Sequence, residues 1–341
     1  MNITFFETKP LLSDLDFPCE TLNKYSSVKI DDLNNLIICG LPAIGKTIKI
    51  YAFLATLFDK KVYDLKNIIF EEDRKTIVYK ASIYHIEVDC IQIGNNDRFF
   101  IQNFIKSYSE TKNIGLDIPK IIYFKNANNL STQSQMILRK IIENGCQTAR
   151  FIFEINNISA FLSALISRCL LIKIKTPSII EVHECIKKMH LKNNIIIDDN
   201  TITSIITECN KTNYTINLKK IFGYFQYKTI TNEPFVFLYH SQFDELLQLI
   251  LNKKQSFVIL KKIRDLINEM HINLVSMEEL LLFIYNKLAE VYKDNNEMSY
   301  ALLEITVESD INMKKGNKLC IHLEHYVISV IDLIYNNSDG R

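Results

Sequence analysis

The pattern of apolar positions changes character near residue 176. Before it, short apolar runs alternate with stretches of helical period. Leu36-Ile37-Ile38-Cys39, Ile121-Ile122-Tyr123-Phe124, Arg150 to Ile155 and Leu170-Leu171-Ile172-Lys173-Ile174 read as strands. A short continuous apolar run bounded by turn residues suits a strand covered on both faces. Between Lys66 and Val88 the text is also strand-like, as in Thr76-Ile77-Val78-Tyr79 and His85-Ile86-Glu87-Val88. Phe5 to Asp32 reads as an irregular arm followed by a helix. Lys49 to Ala55 opens another helix, and Asp97 is expected to cap one over Phe99 to Lys106. Ser131 is expected to cap a third, with Ile137, Leu138, Ile141 and Ile142 at helical spacing and Gly145 closing it.

Beyond Thr176-Pro177-Ser178, strand signals almost vanish. Amphipathic helices follow, carried by Phe243, Leu246, Leu247, Leu249 and Ile250, by Leu280, Leu281, Leu282, Ile284, Tyr285 and Leu288, and by Ile321, Leu323, Val327, Ile328, Val330 and Ile331. A break is expected near Thr231-Asn232-Glu233-Pro234, between a small helical unit and a larger helical tail.

Length and composition narrow the classes. A chain of 341 residues is long enough for two or three domains. With 48% hydrophobic and 23% charged residues it is an ordinary globular sequence, not a disordered one. The net charge of +1 means that any contact with nucleic acid has to come from a local patch. The eight cysteines (19, 39, 90, 146, 169, 185, 209 and 320) form no CxxC pair, and several lie in apolar runs. Without a secretory leader they are expected to be reduced intracellular core residues, neither disulfides nor zinc ligands. No apolar stretch reaches membrane-spanning length.

The chemistry concentrates in Gly40-Leu41-Pro42-Ala43-Ile44-Gly45-Lys46-Thr47, a complete phosphate-binding loop between a strand and a helix. In such a loop the glycines let backbone N–H groups turn onto phosphate oxygens. The Lys reaches the terminal phosphates, and the Thr hydroxyl ligates Mg²⁺. The dipole of the following helix also favours an anion there. The loop predicts a bound nucleotide within a parallel α/β sheet whose carboxyl edge carries the ligand. Against it stands the end of the strand at 121–124, which reads Lys125-Asn126 where an acidic pair is expected.

Three further stretches carry a resemblance to a known family. They are Tyr84 to Val88 with Gly94-Asn95-Asn96-Asp97-Arg98; Leu130 to Glu143; and Arg150 to Asn156 followed by Ser167-Arg168-Cys169. The ending Lys315 to Glu324 adds to them. Together these segments resemble the small subunits of replication factor C, the AAA+ clamp loader of eukaryotes, and the branch whose own ATP site is defective. The resemblance implies an AAA+ P-loop domain with a parallel sheet over 1–176, a small helical lid over 177–234 and an all-helical collar for oligomerisation over 235–341.

It also implies roles. Gly40, Gly45, Lys46 and Thr47 would hold the phosphates, with Thr47 on Mg²⁺. Asn156 would be the polar sensor beside the γ-phosphate, and Lys219 would replace the sensing arginine of the lid. Thr8-Lys9-Pro10 would line the adenine pocket. Arg168 would reach into a neighbouring subunit's site as an arginine finger. Arg98, Lys106, Arg139 and Lys140 would face DNA or a subunit interface, contacting phosphates irrespective of sequence. The implied setting is a nuclear hetero-pentamer acting on a sliding clamp and primer-template DNA.

The departures carry equal weight. Lys125 and Asn126 replace the Asp and Glu that would steer the metal and polarise the attacking water. Loss of a positioned base lowers the rate by about 10²–10⁴. Ala43 stands in place of a loop glycine. The resemblance and these departures together imply that the chain holds ATP or ADP with little hydrolysis. The alternatives are a stand-alone P-loop NTPase or nucleotide kinase, or a small subunit shared with a checkpoint clamp loader.

Overall fold

The computed structural model describes residues 9–338 except 73, 112–117, 145–147, 193–198, 211–216, 232–237, 253–256, 274 and 316–317. Its sheet has seven strands: β1 (Leu36–Cys39), β2 (Lys66–Glu72), β3 (Lys75–Ala81), β4 (His85–Asp89), β5 (Lys120–Lys125), β6 (Ala149–Ile155) and β7 (Leu170–Lys173). They lie in the order β2-β3-β4-β5-β6-β1-β7. The five strands from β4 to β7 along that order run parallel. The parallel sheet expected from the sequence is this five-stranded core, and it is extended at one edge, where β2 and β3 are antiparallel and β3 is antiparallel to β4. The connection between β2 and β3 is a tight turn with Arg74 at φ 62°. Only antiparallel neighbours can be joined so closely.

Alternation along the strands feeds two cores. On one face Ile38, Ile121, Tyr123, Ile152 and Ile172 pack against Ile50, Phe53 and Leu54 of the helix Lys46–Leu57. On the other, Ile37, Val88, Ile122, Phe124, Phe151 and Phe153 pack against Phe100, Ile101, Leu138, Ile141 and Ile142. The latter residues come from a helical run ending at Glu110 and from the helix Thr132–Asn144. Phe124 and Phe153 stack with centroids 5.3 Å apart.

Ser131 caps the Thr132–Asn144 helix as expected, its Oγ accepting from Ser134 N at 3.2 Å. Gly145 lies outside the described residues. Asp97 does not cap a helix. Helical structure already begins at Cys90, and Asp97 is buried with Oδ2 accepting from Ser131 N at 2.7 Å. The run continues through a π-helical stretch, Ile101–Ile105.

After β7 the described regular structure is helical. The contacts divide the chain into two compact units. The first holds the sheet, the helix Ile179–Lys192, the helix Asp199–Asn210 through Thr207, and the helix Leu218–Thr231 through Gln226. The second contains the helices Leu238–Leu251, Phe257–Ile272, Met277–Val291, Asn296–Lys315 and Leu319–Ser338. Its core is built on Phe243, Leu246, Ile267, Leu280, Ile284, Leu302, Tyr326 and Val327. Asn232, Glu233 and Pro234 of the expected break lie outside the described residues. No described helix is long and apolar enough to cross a membrane, and no disulfide joins the cysteines whose side chains are described.

Candidate functional site

The phosphate loop leaves β1 at Gly40, where a side chain has no room. A Cβ there would lie 2.7 Å from Ile44 Cδ1 and 3.0 Å from the carbonyl oxygen of Ile174. Gly45 precedes the helix at φ 85°, a left-handed conformation that glycine adopts without strain. Ala43 takes φ 59° without that freedom. Such strain persists where the surroundings over-determine the backbone, as they do in a ligand loop.

Lys46 is buried, and its Nζ donates to the carbonyls of Gly40 (2.9 Å) and Leu41 (2.8 Å) and to Oδ1 of Asn156 (2.8 Å). Burial pulls its pKa down, while the charge of Glu154 opposes that shift. Asn156 follows β6, and its N–H donates to Oδ1 of Asn128 at 3.0 Å. The two residues proposed from sequence to meet a terminal phosphate, Lys46 and Asn156, are therefore in direct contact at the carboxyl end of β1 and β6.

Thr47 Oγ1 donates to the carboxylate of Glu154, at 3.1 and 3.2 Å from its two oxygens. The Tyr123 hydroxyl donates to the same carboxylate, and Tyr51 donates to Glu87. Glu154 and Glu87 are both buried. Burial raises the Glu87 pKa, opposed by the charge of Lys125 and reinforced by Asp89 and Glu154. A row of polar groups thus runs beneath the loop helix across β4, β5 and β6. Sequence reasoning missed it. The available signal was a glutamate inside Phe151-Ile152-Phe153-Glu154-Ile155, on the face shared with Ile152.

The end of β5 has no carboxylate. Lys125 is in register with Asp89 of β4. Asn126 adopts φ 53°, and its Nδ2 donates to Asp89 Oδ1 at 3.0 Å.

Arg168 lies at the other end of the sheet from the loop. It precedes β7, whose Leu170 is in register with Leu36 at the start of β1, while the loop follows Cys39. That offset is about 10 Å of strand before the lengths of the connecting turns are added. Its Nη1 donates to Ala164 O at 2.6 Å, and its Nη2 pairs with Glu143.

Arg98, Lys106, Arg139 and Lys140 lie on two adjacent helical segments. Arg98 Nη1 donates to Gln133 Oε1 at 2.9 Å, beside a cleft of about 490 Å³ lined by Gly94, Asn95, Asp97, Asn129 and Ser131. Lys106 and Lys140 line a second cleft of about 410 Å³. Arg139, Lys106 and Lys140 are exposed. Lys219 is exposed in the first turn of Leu218–Thr231 and makes no hydrogen bond or ion pair among the described residues. Thr8 of the adenine-pocket segment lies outside the described residues. Lys9 pairs with Asp64 at 2.5 Å.

A parallel core ordered β4-β5-β6-β1-β7, with a phosphate loop after β1, a polar residue after β6 and helices following the sheet, is the AAA+ P-loop fold. Several similar proteins carry one name, replication factor C. A putative replication factor C small subunit of Acanthamoeba polyphaga mimivirus is 26% identical over 90% of this chain and 84% of its own length. Replication factor C subunit 5 of Saccharomyces cerevisiae is 24% identical over 88% and 89%. Subunit 5 of Oryza sativa subsp. japonica is 22% identical over 89% and 88%. No protein-family model matches the chain. The resemblance to replication factor C small subunits thus extends over about 90% of this chain.

Proposed function

We propose that this chain is a small subunit of an ATP-driven clamp loader, holding adenine nucleotide with weak or no hydrolysis and acting on a neighbouring subunit's site through Arg168. The observation that carries this reading is the junction of Lys46, Thr47 and Asn156 at the carboxyl edge of the sheet, beside a strand end that reads Lys125-Asn126. The first group is fitted to phosphate; the second lacks a proton acceptor for water. The similarity to replication factor C subunits, over about 90% of the chain, supports membership of such an assembly.

In this reading the loop amides and the Lys46 ammonium hold the nucleotide phosphates, and Asn156 stands beside the γ-phosphate. Thr47 offers its hydroxyl to Mg²⁺, which when bound would neutralise phosphate charge. Asn126 can hydrogen-bond a water but cannot take its proton, so turnover is slow. The residues from 177 to 234 form a lid in which Lys219 senses nucleotide, and those from 235 onward form the oligomerisation collar. Arg98, Lys106, Arg139 and Lys140 contact the DNA backbone or an adjoining subunit. The sliding clamp and primer-template DNA are the shared substrates of the assembly.

The test is co-expression with the other clamp-loader subunits of the same source, followed by capture of this chain. A stable complex containing them, with adenine nucleotide released on denaturation, is the expected result. A chain that captures none of them is not a clamp-loader subunit.

A further inference from the structure

We infer that Glu154 supplies the acidic group of a divalent-cation site completed only by nucleotide phosphate, taking over from the strand end where Lys125 stands. The inference rests on the nucleotide-binding reading above. It concerns how the metal is held when the usual carboxylate is missing.

The geometry is specific. A loop Thr binds Mg²⁺ through a hydroxyl lone pair, so its proton must be directed elsewhere. Here Thr47 Oγ1 sits 3.1 and 3.2 Å from the two oxygens of Glu154. With its proton on Glu154, the hydroxyl turns a lone pair away from that carboxylate and can offer it to a cation. Glu154 reaches this place because β6 lies beside β1. It is in register with Ile38, two residues before Gly40. Lys125 lies on β5, on the far side of β6 from β1, and its charge bears on Glu87.

Chemistry points the same way. A carboxylate that is only 7% exposed inside an otherwise apolar strand is costly unless it is paired or ligating. Packing alone would favour an apolar residue on the face that carries Ile152, whose core also holds Ile38 and Ile50. Instead, Glu154 is addressed by Thr47 and Tyr123 and lies close enough to Lys46 to oppose that residue's pKa shift. Mg²⁺ keeps several waters and typically takes one or two carboxylates together with substrate phosphates. One buried carboxylate and one hydroxyl meet that requirement only when phosphate is present. Among the described residues no cluster of three or more His, Cys, Asp or Glu side chains could hold a cation by itself. Asp89, at the end of β4, is separated from the loop strand β1 by β5 and β6, and its Oδ1 accepts from Asn126 and from the Ile91 N–H.

The test measures ATP affinity of the full-length chain with Mn²⁺ and with EDTA, and follows bound Mn²⁺ by electron paramagnetic resonance. Wild type should bind ATP at least about tenfold more tightly with Mn²⁺, and Mn²⁺ should be retained only with ATP. Glu154→Gln should bind ATP in EDTA at least as tightly as wild type, because a negative charge beside the phosphates is gone, yet lose most of the Mn²⁺ enhancement. Thr47→Val should lose it too, which keeps the test open if one variant fails to fold. Equal enhancement in wild type and Glu154→Gln overturns the inference, as does tight Mn²⁺ binding without nucleotide. ATP binding by wild type that ignores the metal overturns the inference alone. No ATP binding under either condition removes the nucleotide reading itself.

Discussion

The guanidinium of Arg168 pairs with the carboxylate of Glu143, which also accepts from Arg139 Nε at 3.4 Å. The proposed finger is therefore oriented by the helix Thr132–Asn144, which also carries Arg139 and Lys140. Arg168→Ala should lower hydrolysis at one neighbouring site by about 10³-fold or more, and Arg168→Lys should not restore it, because an ammonium lacks the planar fork. Glu143→Gln, which keeps an oxygen acceptor for Arg168, should lower that rate far less than Arg168→Ala. ATP turnover by the reconstituted complex, with partner sites inactivated in turn, is the measurement. Full rates with Arg168→Ala would remove the trans-acting role.

Lys46 makes three hydrogen bonds at the loop, one of them to Asn156. A charge-assisted bond to phosphate contributes about 1.5–3 kcal/mol, so Lys46→Ala should weaken nucleotide binding by roughly 10–150-fold. Titration with a fluorescent adenine nucleotide reads this directly. Unchanged affinity would place the nucleotide elsewhere.

Restoring the acidic pair should restore chemistry. Lys125→Asp with Asn126→Glu returns a candidate proton acceptor to the strand end, although Glu tolerates the left-handed φ of 53° less readily than Asn does. Turnover by the complex at this chain's own site should rise by about 10²-fold or more. No rise would mean that the missing acids are not what limits hydrolysis.

His85 predicts an acid-sensitive fold. It is buried on β4, with Nδ1 against Ser82 Oγ at 2.7 Å and Nε2 without a hydrogen-bond partner among the described residues. Burial pulls its pKa down to about 4 from 6.5. The unfolded chain takes up this proton as pH falls below about 6.5, whereas the folded chain resists until about 4. Stability should fall through that window, by up to roughly 3 kcal/mol from this group, and level off below it. His85→Phe should narrow the difference in melting temperature between pH 7 and pH 4.5. An unchanged difference would mean that His85 is not the source.

The loop, the central strands and the helix at Ser131 were legible because their signals are local. Gly45 has to adopt φ 85° next to Lys46, and Ile121 to Phe124 must be apolar on both faces. The Lys46–Asn156 contact was reached through the resemblance, since 110 residues separate the pair. Glu154 escaped for the same reason. Its partner Thr47 is 107 residues away, and only strand order brings them together. Asp97 was misread because an Asp before an apolar period looks like a cap, whereas its carboxylate serves the start of another helix. In the second unit, periodicity located the helices but not every inward position. Leu282 and Ile321 are 48% and 55% exposed.

The central claim is that this chain retains nucleotide without consuming it. Incubating the purified chain with Mg²⁺ and labelled ATP, then separating and analysing the bound nucleotide over time, tests it most directly. The account predicts retained label that stays mostly ATP, with turnover well below about one per second, the lower end of ordinary enzymes. Absence of retained nucleotide, or conversion to ADP at or above that rate, would contradict it.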